Sequence, residues 1–233
     1  MKMIEKLIEK SGVSRNEIEE VCKIVKDNLE LEGNMTKKEK YEIDYRYEHS
    51  LRVADLAMRI VDGLYLSDYS KRIVLFAALF HDISKFTISS RDHGELATLY
   101  SNEVLKRFKY NDIFINNVAV CLKNHSDKEN YRFDKYVADK RILLGIIIEA
   151  DTIDHLSYQA FKHYGFTRNG GTYDEDKISK IINKFKYYDP DNNFSIPGKE
   201  LYNEFIFPFS ICVKFNNHVK TLNDDNEIKE KMI

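Results

Sequence analysis

The stretch that decides the fold is AALFHDISKF, residues 77–86, in which an apolar run ends in an adjacent histidine and aspartate. Four apolar residues lead into His81 and Asp82, and Lys85 follows three residues later. Burying such polar groups without partners costs roughly 2–7 kcal/mol, so a core that contains them must compensate them. We infer that a divalent metal ion does so, which makes these residues candidates for a functional site.

The composition excludes several classes of protein. The 233 residues are 43% hydrophobic and 32% charged with a net charge of −2, as in a globular protein with a sizeable core. This charge gives no electrostatic basis for binding a nucleic-acid polymer or a membrane surface. The three cysteines are scattered, the N-terminus is unlike a signal peptide, and apolar runs fall short of the roughly 18 residues that span a bilayer. We therefore expect a cytoplasmic protein, and no pattern fixes its oligomeric state.

Helical periodicity dominates the chain. The prolines are Pro190, Pro197 and Pro208, so ring chemistry permits helix throughout the first 189 residues. Apolar residues recur at helical spacing and clean strand alternation is scarce, which predicts an all-α fold. The predicted helices span residues 2–10, 15–31, 42–63, 68–83, 91–108, 111–124, 138–163, 174–187 and 198–221.

The predicted helices divide into three regions. Residues 1–40 are expected to form N-terminal helices that pack on a core at 41–187, and 188–233 to form a C-terminal helical extension and tail. Ser14 followed by Glu17 is a capping-box pattern, in which each side chain bonds to the backbone of the other residue. It predicts the start of the second helix.

Metal-binding side chains fall on the apolar faces of several predicted helices. His49 shares its helical stripe with Val53, Leu56 and Ile60, so it faces the core. A single histidine on such a face is usually a satisfied core residue, so helix packing alone is one explanation. Several imidazoles and two carboxylates that converge in a dry interior are better explained by a shared divalent cation. The other inward residues are His81, Asp82, His93, His125 and Asp151.

In order along the chain, these residues resemble a known signature. His49, the doublet His81-Asp82 and the later Asp151 are similar to the motif of the HD-domain superfamily of metal-dependent phosphohydrolases. The matching stretches are YEHSLRVADLAMRI, AALFHDISK and IIEADTIDHL, within residues 42–160. The resemblance, which is greatest to the small stand-alone bacterial members, implies an all-α helical bundle of the HD-domain type. It also implies that these four residues hold a divalent ion.

The residues after the doublet narrow the resemblance. Guanosine tetraphosphate hydrolases carry two acidic residues where this chain has Ser84 and Lys85, and small 5′-deoxynucleotidases carry a Glu where Lys85 stands. The dNTP triphosphohydrolases have a longer His- and Gly-rich continuation. The HDISK form resembles cyclic-dinucleotide phosphodiesterases, although their Gly-Tyr-Pro motif is missing, and diadenosine-tetraphosphate hydrolases. Both groups use additional histidines for a second metal, a role that His93 and His125 could take.

The resemblance and the residue chemistry predict how the site works. Imidazole and carboxylate ligands suit Mn, Fe, Co, Ni or Zn, with Mg as a further candidate, and one ion or two would bind. We expect metal-activated water to hydrolyse a phosphate ester or anhydride of a nucleotide or similar small phosphorylated compound. Asp82 would also orient the water or accept its proton, and Lys85 and Arg52 would bind phosphate. Surface roles for Lys85 and Arg52 stay open, as does a non-catalytic nucleotide-binding sensor as the alternative function.

Overall fold

The computed structural model describes residues 2–87, 93–128, 131–165, 167–171, 176 and 193–206. These residues are helical or irregular and contain no β-strand, which confirms the predicted all-α fold. None of their helices is both long and apolar enough to cross a bilayer. The helices are α1 (Lys2–Ser11), α2 (Arg15–Met35), α3 (Lys40–Gly63), α4 (Asp68–Phe80), α5 (His93–Arg107), α6 (Asp112–Asn124), α7 (Phe133–Ala138), α8 (Ile142–Asp154) and α9 (Tyr158–Gly165), with a 3-10 turn at Thr167–Asn169 and further helix at residues 196–206.

The centre of the fold is α4, which packs against α3, α6 and α8. Its residues from Ile73 to Phe80 are all buried, as expected for a helix that is apolar on every side. The run from Leu144 to Asp154 in α8 is buried as well. Polar residues at the ends of these two helices therefore need partners inside the protein. The α1 and α2 helices pack on α3 and α4, and the division into three regions stays a prediction.

Side-chain caps define the beginnings of several helices, among them α2 and α4. At the start of α2, Ser14 Oγ accepts a hydrogen bond from Glu17 N at 3.3 Å, and Glu17 Oε2 accepts one from Ser14 N at 3.2 Å. This arrangement confirms the predicted capping box. At the start of α4, Ser67 Oγ accepts from Ser70 N at 3.3 Å.

The prediction of one helix over 138–163 is wrong. The chain instead leaves helical geometry after Asp154 and resumes it at Tyr158. Ser157 causes this break, because its Oγ accepts a hydrogen bond from Ala160 N at 3.1 Å and so caps the new helix α9. A serine that bonds to the backbone in this way favours a helix start over continuation of the preceding helix.

Three other predicted helices either end earlier than predicted or lie largely outside the residues that the structure describes. The helix predicted over 68–83 ends at Phe80, and residues 81–87 form turns, so the His-Asp doublet directly follows α4. The helices predicted over 174–187 and 198–221 lie largely outside the described residues.

Gly94 allows the beginning of α5 to lie close to the end of α6. A Cβ atom at this position would lie 2.3 Å from the carbonyl oxygen of Leu122, a distance that real Cβ contacts do not reach. His93 precedes the glycine, and His125 follows Leu122 by three residues. The close approach therefore brings the two histidines together, with their Nε2 atoms 2.8 Å apart.

Candidate metal centre

Side chains from the middle of α3, from the turn after α4 and from the end of α8 converge on one buried point. His49 lies within α3, the His81-Asp82 doublet follows α4, and Asp151 lies in the last turn of α8. All four residues are at most 5% exposed. Sequence positions more than a hundred residues apart thus meet in the interior.

The four side chains direct polar atoms at one another. His49 Nε2 lies 3.2 Å from His81 Nε2, 3.3 Å from Asp151 Oδ1 and 3.6 Å from Asp82 Oδ2. His81 Nε2 lies 3.7 Å from the same oxygen of Asp82. The structure therefore places His49, His81 and Asp82 within reach of a common ion and Asp151 beside His49, and the role of all four as ligands stays a prediction.

Hydrogen bonds on the far side of each ring fix where the histidine protons lie. His49 Nδ1 donates to Asp154 Oδ2 at 2.7 Å, and His81 Nδ1 donates to the Ala78 carbonyl at 2.7 Å. Burial lowers the pKa of His81 to about 3, so its Nε2 carries a lone pair at neutral pH. Burial also opposes the charged form of His49, but Asp151 and Asp154 outweigh it and raise its pKa.

A proton on His49 Nε2 cannot satisfy the whole cluster. One N–H can serve one of its three facing acceptors well, and Asp151 Oδ1 makes no hydrogen bond of good geometry among the described residues, although His49 Nε2 lies 3.3 Å and His155 Nδ1 3.4 Å away. A buried carboxylate oxygen without a well-formed hydrogen bond is costly, whereas a divalent cation would be attracted to all four side chains. The donor set of two imidazole nitrogens and two carboxylates suits a divalent transition metal. The residues present therefore fit a metal ion, and helix packing alone does not account for Asp151 Oδ1.

A second cluster shares Asp82. Its other oxygen, Oδ1, lies 3.1 Å from His93 Nε2 and 3.8 Å from His125 Nε2, and each of the two groups around Asp82 could hold a metal ion. His125 Nδ1 donates to the Leu122 carbonyl at 2.7 Å, which leaves a lone pair on its Nε2. An N–H on His93 Nε2 could satisfy that lone pair across 2.8 Å.

Asp154 is an important neighbour that the helical stripes do not reveal. Besides His49, it accepts hydrogen bonds from Arg52 Nε at 2.7 Å and from Arg52 Nη2 at 3.1 Å. Burial opposes its ionisation, but His49 and Arg52 outweigh burial and lower the pKa of Asp154 to about 2. A carboxylate behind a ligating histidine fixes the ring orientation and tautomer. Its spacing of three residues from Asp151 is the signal that could have identified it.

Arg52 is therefore engaged with Asp154. Its third nitrogen, Nη1, lies 3.8 Å from Glu48, and its side chain is 11% exposed. The predicted contact of Arg52 with substrate stays a prediction, whereas its contact with Asp154 supports a structural role next to His49.

Three cations lie against the carboxylates of the cluster. Arg46 Nη1 donates to Asp82 Oδ2 at 2.6 Å, and Lys128 Nζ donates to Asp151 Oδ2 at 2.5 Å. Lys85 Nζ, which the sequence analysis singled out, lies 3.7 Å from Asp82 Oδ1. Sequence reasoning did not identify Arg46 or Lys128. Arg46 precedes His49 by one helical turn, which is the signal available for it.

These cations hold both carboxylates ionised. Burial alone would raise the pKa of Asp82, but Arg46 and its other neighbours hold that pKa well below the usual range. Burial likewise opposes ionisation of Asp151, yet Lys128 and His49 hold its pKa well below the usual range. Both side chains therefore present negative charge at neutral pH, as metal ligands must.

These observations define a class: an all-α domain with a histidine–aspartate cluster, suited to a divalent ion, where its helices meet. Residues 46–156 belong to the HD-domain superfamily, because the family model of the HD domain matches them. This segment contains His49, the His81-Asp82 doublet and Asp151.

A solved structure shares the fold. It is the crystal structure of a predicted HD superfamily hydrolase from an uncultured Thermotogales bacterium, with a TM-score of 0.53 and 16% sequence identity. The alignment covers 87% of this chain and 91% of the other. No curated protein matches the chain in sequence at a significant level.

Proposed function

We propose that this protein is a metal-dependent phosphohydrolase acting on a small phosphorylated compound. The observation that carries the proposal is the buried group of His49, His81 and Asp82, which could hold a metal ion, with Asp151 Oδ1 3.3 Å from His49 Nε2. Membership of the HD-domain superfamily and the fold shared with a predicted hydrolase support the reaction class.

The side chains have distinct roles in this proposal. The four residues of the cluster would hold a divalent ion, and His93 and His125 could hold a second one with Asp82. When bound, such an ion lowers the pKa of a water molecule toward neutrality and offsets phosphoryl charge. Arg46 keeps Asp82 ionised, so Asp82 would orient the attacking water by accepting its hydrogen bond. With its low pKa, Asp82 would be a poor long-term acceptor of the proton itself.

The cations around the cluster support an anionic substrate. Lys85 is 32% exposed and Lys128 22% exposed, so both reach the side of the cluster that is open to solvent. Ammonium groups there would stabilise charge on a phosphoryl group. We propose a nucleotide or a similar phosphorylated compound as the substrate, and a cytoplasmic location stays a prediction.

Activity measured after metal exchange tests the proposal. The protein is stripped with EDTA, reloaded with Mn²⁺, Co²⁺, Ni²⁺, Zn²⁺ or Mg²⁺, and assayed with p-nitrophenyl phosphate and a panel of nucleotides. We expect turnover in the loaded protein alone, loss of turnover in Asp151→Asn, and no change in Asp134→Asn. Asp134 is a matched control because it is an exposed carboxylate that also pairs with a cation, Arg132, at 2.7 Å.

The alternative function predicts a different outcome. A metal-loaded protein that binds nucleotides and turns over none of the panel would contradict the hydrolase and favour the non-catalytic sensor.

A further inference from the structure

We propose that Lys128 is a substrate-binding residue that selects a dianionic phosphoryl group, so that the site prefers phosphomonoesters to phosphodiesters. This inference rests on the proposed function and narrows its substrate class. Lys128 lies outside the apolar helical stripes, and tertiary contacts define its position.

Lys128 reaches the cluster from a turn that follows α6. Its backbone N donates to the Ser126 carbonyl at 3.0 Å within this turn. The side chain then spans to Asp151, with Nζ 2.5 Å from Oδ2. The lysine side chain is 22% exposed and that of Asp151 is 7% exposed, so the ammonium group lies between the buried cluster and solvent.

The two oxygens of Asp151 face different groups. Oδ1 lies 3.3 Å from His49 Nε2, on the side of the proposed metal ligands, whereas Oδ2 contacts Lys128. Lys128 thus leaves free the oxygen that the ion would use. An ammonium group has three N–H donors, and Asp151 is the hydrogen-bond partner of Lys128 Nζ among the described residues. The remaining donors are available to a phosphoryl oxygen bound at the cluster.

The charge around the cluster favours a dianion. Three cations, Arg46, Lys85 and Lys128, lie against the two carboxylates of Asp82 and Asp151. With Arg52 and Asp154 behind His49 included, four cations face three carboxylates, so positive charge is in excess before any divalent ion adds its own. The phosphoryl group of a monoester carries up to two negative charges and that of a diester carries one, so each cation attracts the monoester more strongly. Of the three cations that lie against Asp82 and Asp151, Lys128 is the one whose position in the sequence does not indicate that it lies near the cluster.

A purely structural role for Lys128 predicts something different. If Lys128 only neutralised Asp151, its removal would weaken metal binding and lower turnover of both ester types in the same proportion. A direct contact with the phosphoryl group instead changes the ratio of the two activities and the affinity for phosphate itself.

The experiment compares Lys128→Gln and Lys128→Arg with the wild type and with Lys71→Gln. Lys71 is a matched control because it is also 22% exposed and also pairs with a carboxylate, Asp62, at 2.8 Å, on the α3 and α4 helices away from the ligands. Each protein is loaded with Mn²⁺, its metal content is measured, and its circular dichroism is recorded. Binding of inorganic phosphate is then measured by isothermal titration calorimetry, and kcat/KM is measured for p-nitrophenyl phosphate and bis(p-nitrophenyl) phosphate.

We expect the wild type to prefer the monoester. Lys128→Gln should weaken phosphate binding and lower kcat/KM for the monoester by roughly 10- to 100-fold, the loss of a charge-assisted hydrogen bond, with a much smaller loss for the diester. Lys128→Arg should recover part of both losses because it keeps the charge, and Lys71→Gln should match the wild type.

Two results would overturn the inference while leaving the proposed function intact. One is an unchanged ratio of monoester to diester activity in Lys128→Gln, and the other is unchanged phosphate affinity at normal metal content. If the loaded wild type hydrolyses neither ester, the proposed function fails, and the phosphate titration still decides whether Lys128 binds the anion. If Lys128→Gln does not fold, Lys128→Arg serves as the test. Its guanidinium group differs in shape from an ammonium group, so phosphate affinity should change in Lys128→Arg and stay unchanged in the control Lys71→Arg.

Discussion

Replacing Asp154 with asparagine removes the charge behind His49 and preserves the shape of the side chain. Asp154 accepts hydrogen bonds from His49 Nδ1, Arg52 Nε and Arg52 Nη2. An asparagine amide has one acceptor oxygen, so whichever way it is oriented its NH₂ group faces one of these donors. The substitution therefore leaves either His49 or Arg52 without its full set of partners.

The pKa of Asp154 gives the magnitude of the effect on stability. Its pKa is about 2 in the folded protein, against an ordinary value of 3.8 in the unfolded chain. This difference corresponds to about 2 kcal/mol of folding free energy. Because the folded pKa is the lower one, the contribution is fully present above about pH 4 and is lost as the pH falls toward 2. Loss of a carboxylate partner behind a ligating histidine should also weaken metal affinity by about 10- to 100-fold.

Two assays follow from these values. Urea unfolding in EDTA should show Asp154→Asn destabilised by about 2 kcal/mol at pH 7, with a smaller difference from the wild type at pH 3. Competition with a chelating dye should show weaker Mn²⁺ binding. Asp134→Asn, at an exposed carboxylate, is the control and should change stability by less than about 0.5 kcal/mol. The reasoning is refuted if Asp154→Asn is equally destabilised at both pH values or retains wild-type metal affinity.

Two further predictions concern packing and burial. Burial raises the pKa of Glu149 to about 7 despite its hydrogen bonds with Ser195 and Tyr131. Its contribution to stability is therefore full below about pH 4.5 and is lost by pH 7, which lowers the free energy of unfolding by about 3 kcal/mol. Urea unfolding of the metal-free wild type should show this fall, and urea unfolding of metal-free Glu149→Gln should not. Gly94→Ala should lower the free energy of unfolding by roughly 1–3 kcal/mol, because its Cβ would lie 2.3 Å from the Leu122 carbonyl oxygen. Thermal unfolding of Gly94→Ala checks this, and an unchanged midpoint would contradict the close approach of α5 and α6.

Local periodicity accounts for the part of the fold that the sequence predicts. The α3 helix and the buried α4 helix follow from apolar stripes, which depend on residues three or four positions apart. The break between α8 and α9 does not follow from such stripes, because apolar residues continue through it. It depends on whether the Ser157 hydroxyl bonds to the backbone, a choice that hydrophobic spacing does not encode.

The candidate site divides in the same way. Inward positions of His49 and Asp151 are local properties of α3 and α8, so their stripes predict them. Lys128 and Arg46 look like ordinary solvated cations in the sequence. Lys128 contacts Asp151 across 23 positions of the chain, and only tertiary packing determines that contact. Arg52 illustrates the converse, since its place one turn after His49 did not indicate that its guanidinium bonds to Asp154, and its contact with substrate stays a prediction.

The metal content of the wild type and of Asp82→Ala tests the central claim most directly, because Asp82 is the residue shared by both clusters. Each protein is incubated with Mn²⁺, freed of unbound metal by gel filtration, and analysed by inductively coupled plasma mass spectrometry, with circular dichroism to verify folding. We expect the wild type to retain one or two ions per chain and the folded Asp82→Ala variant to retain none. A wild type that retains no ion, or a variant that retains as much as the wild type, would contradict the account.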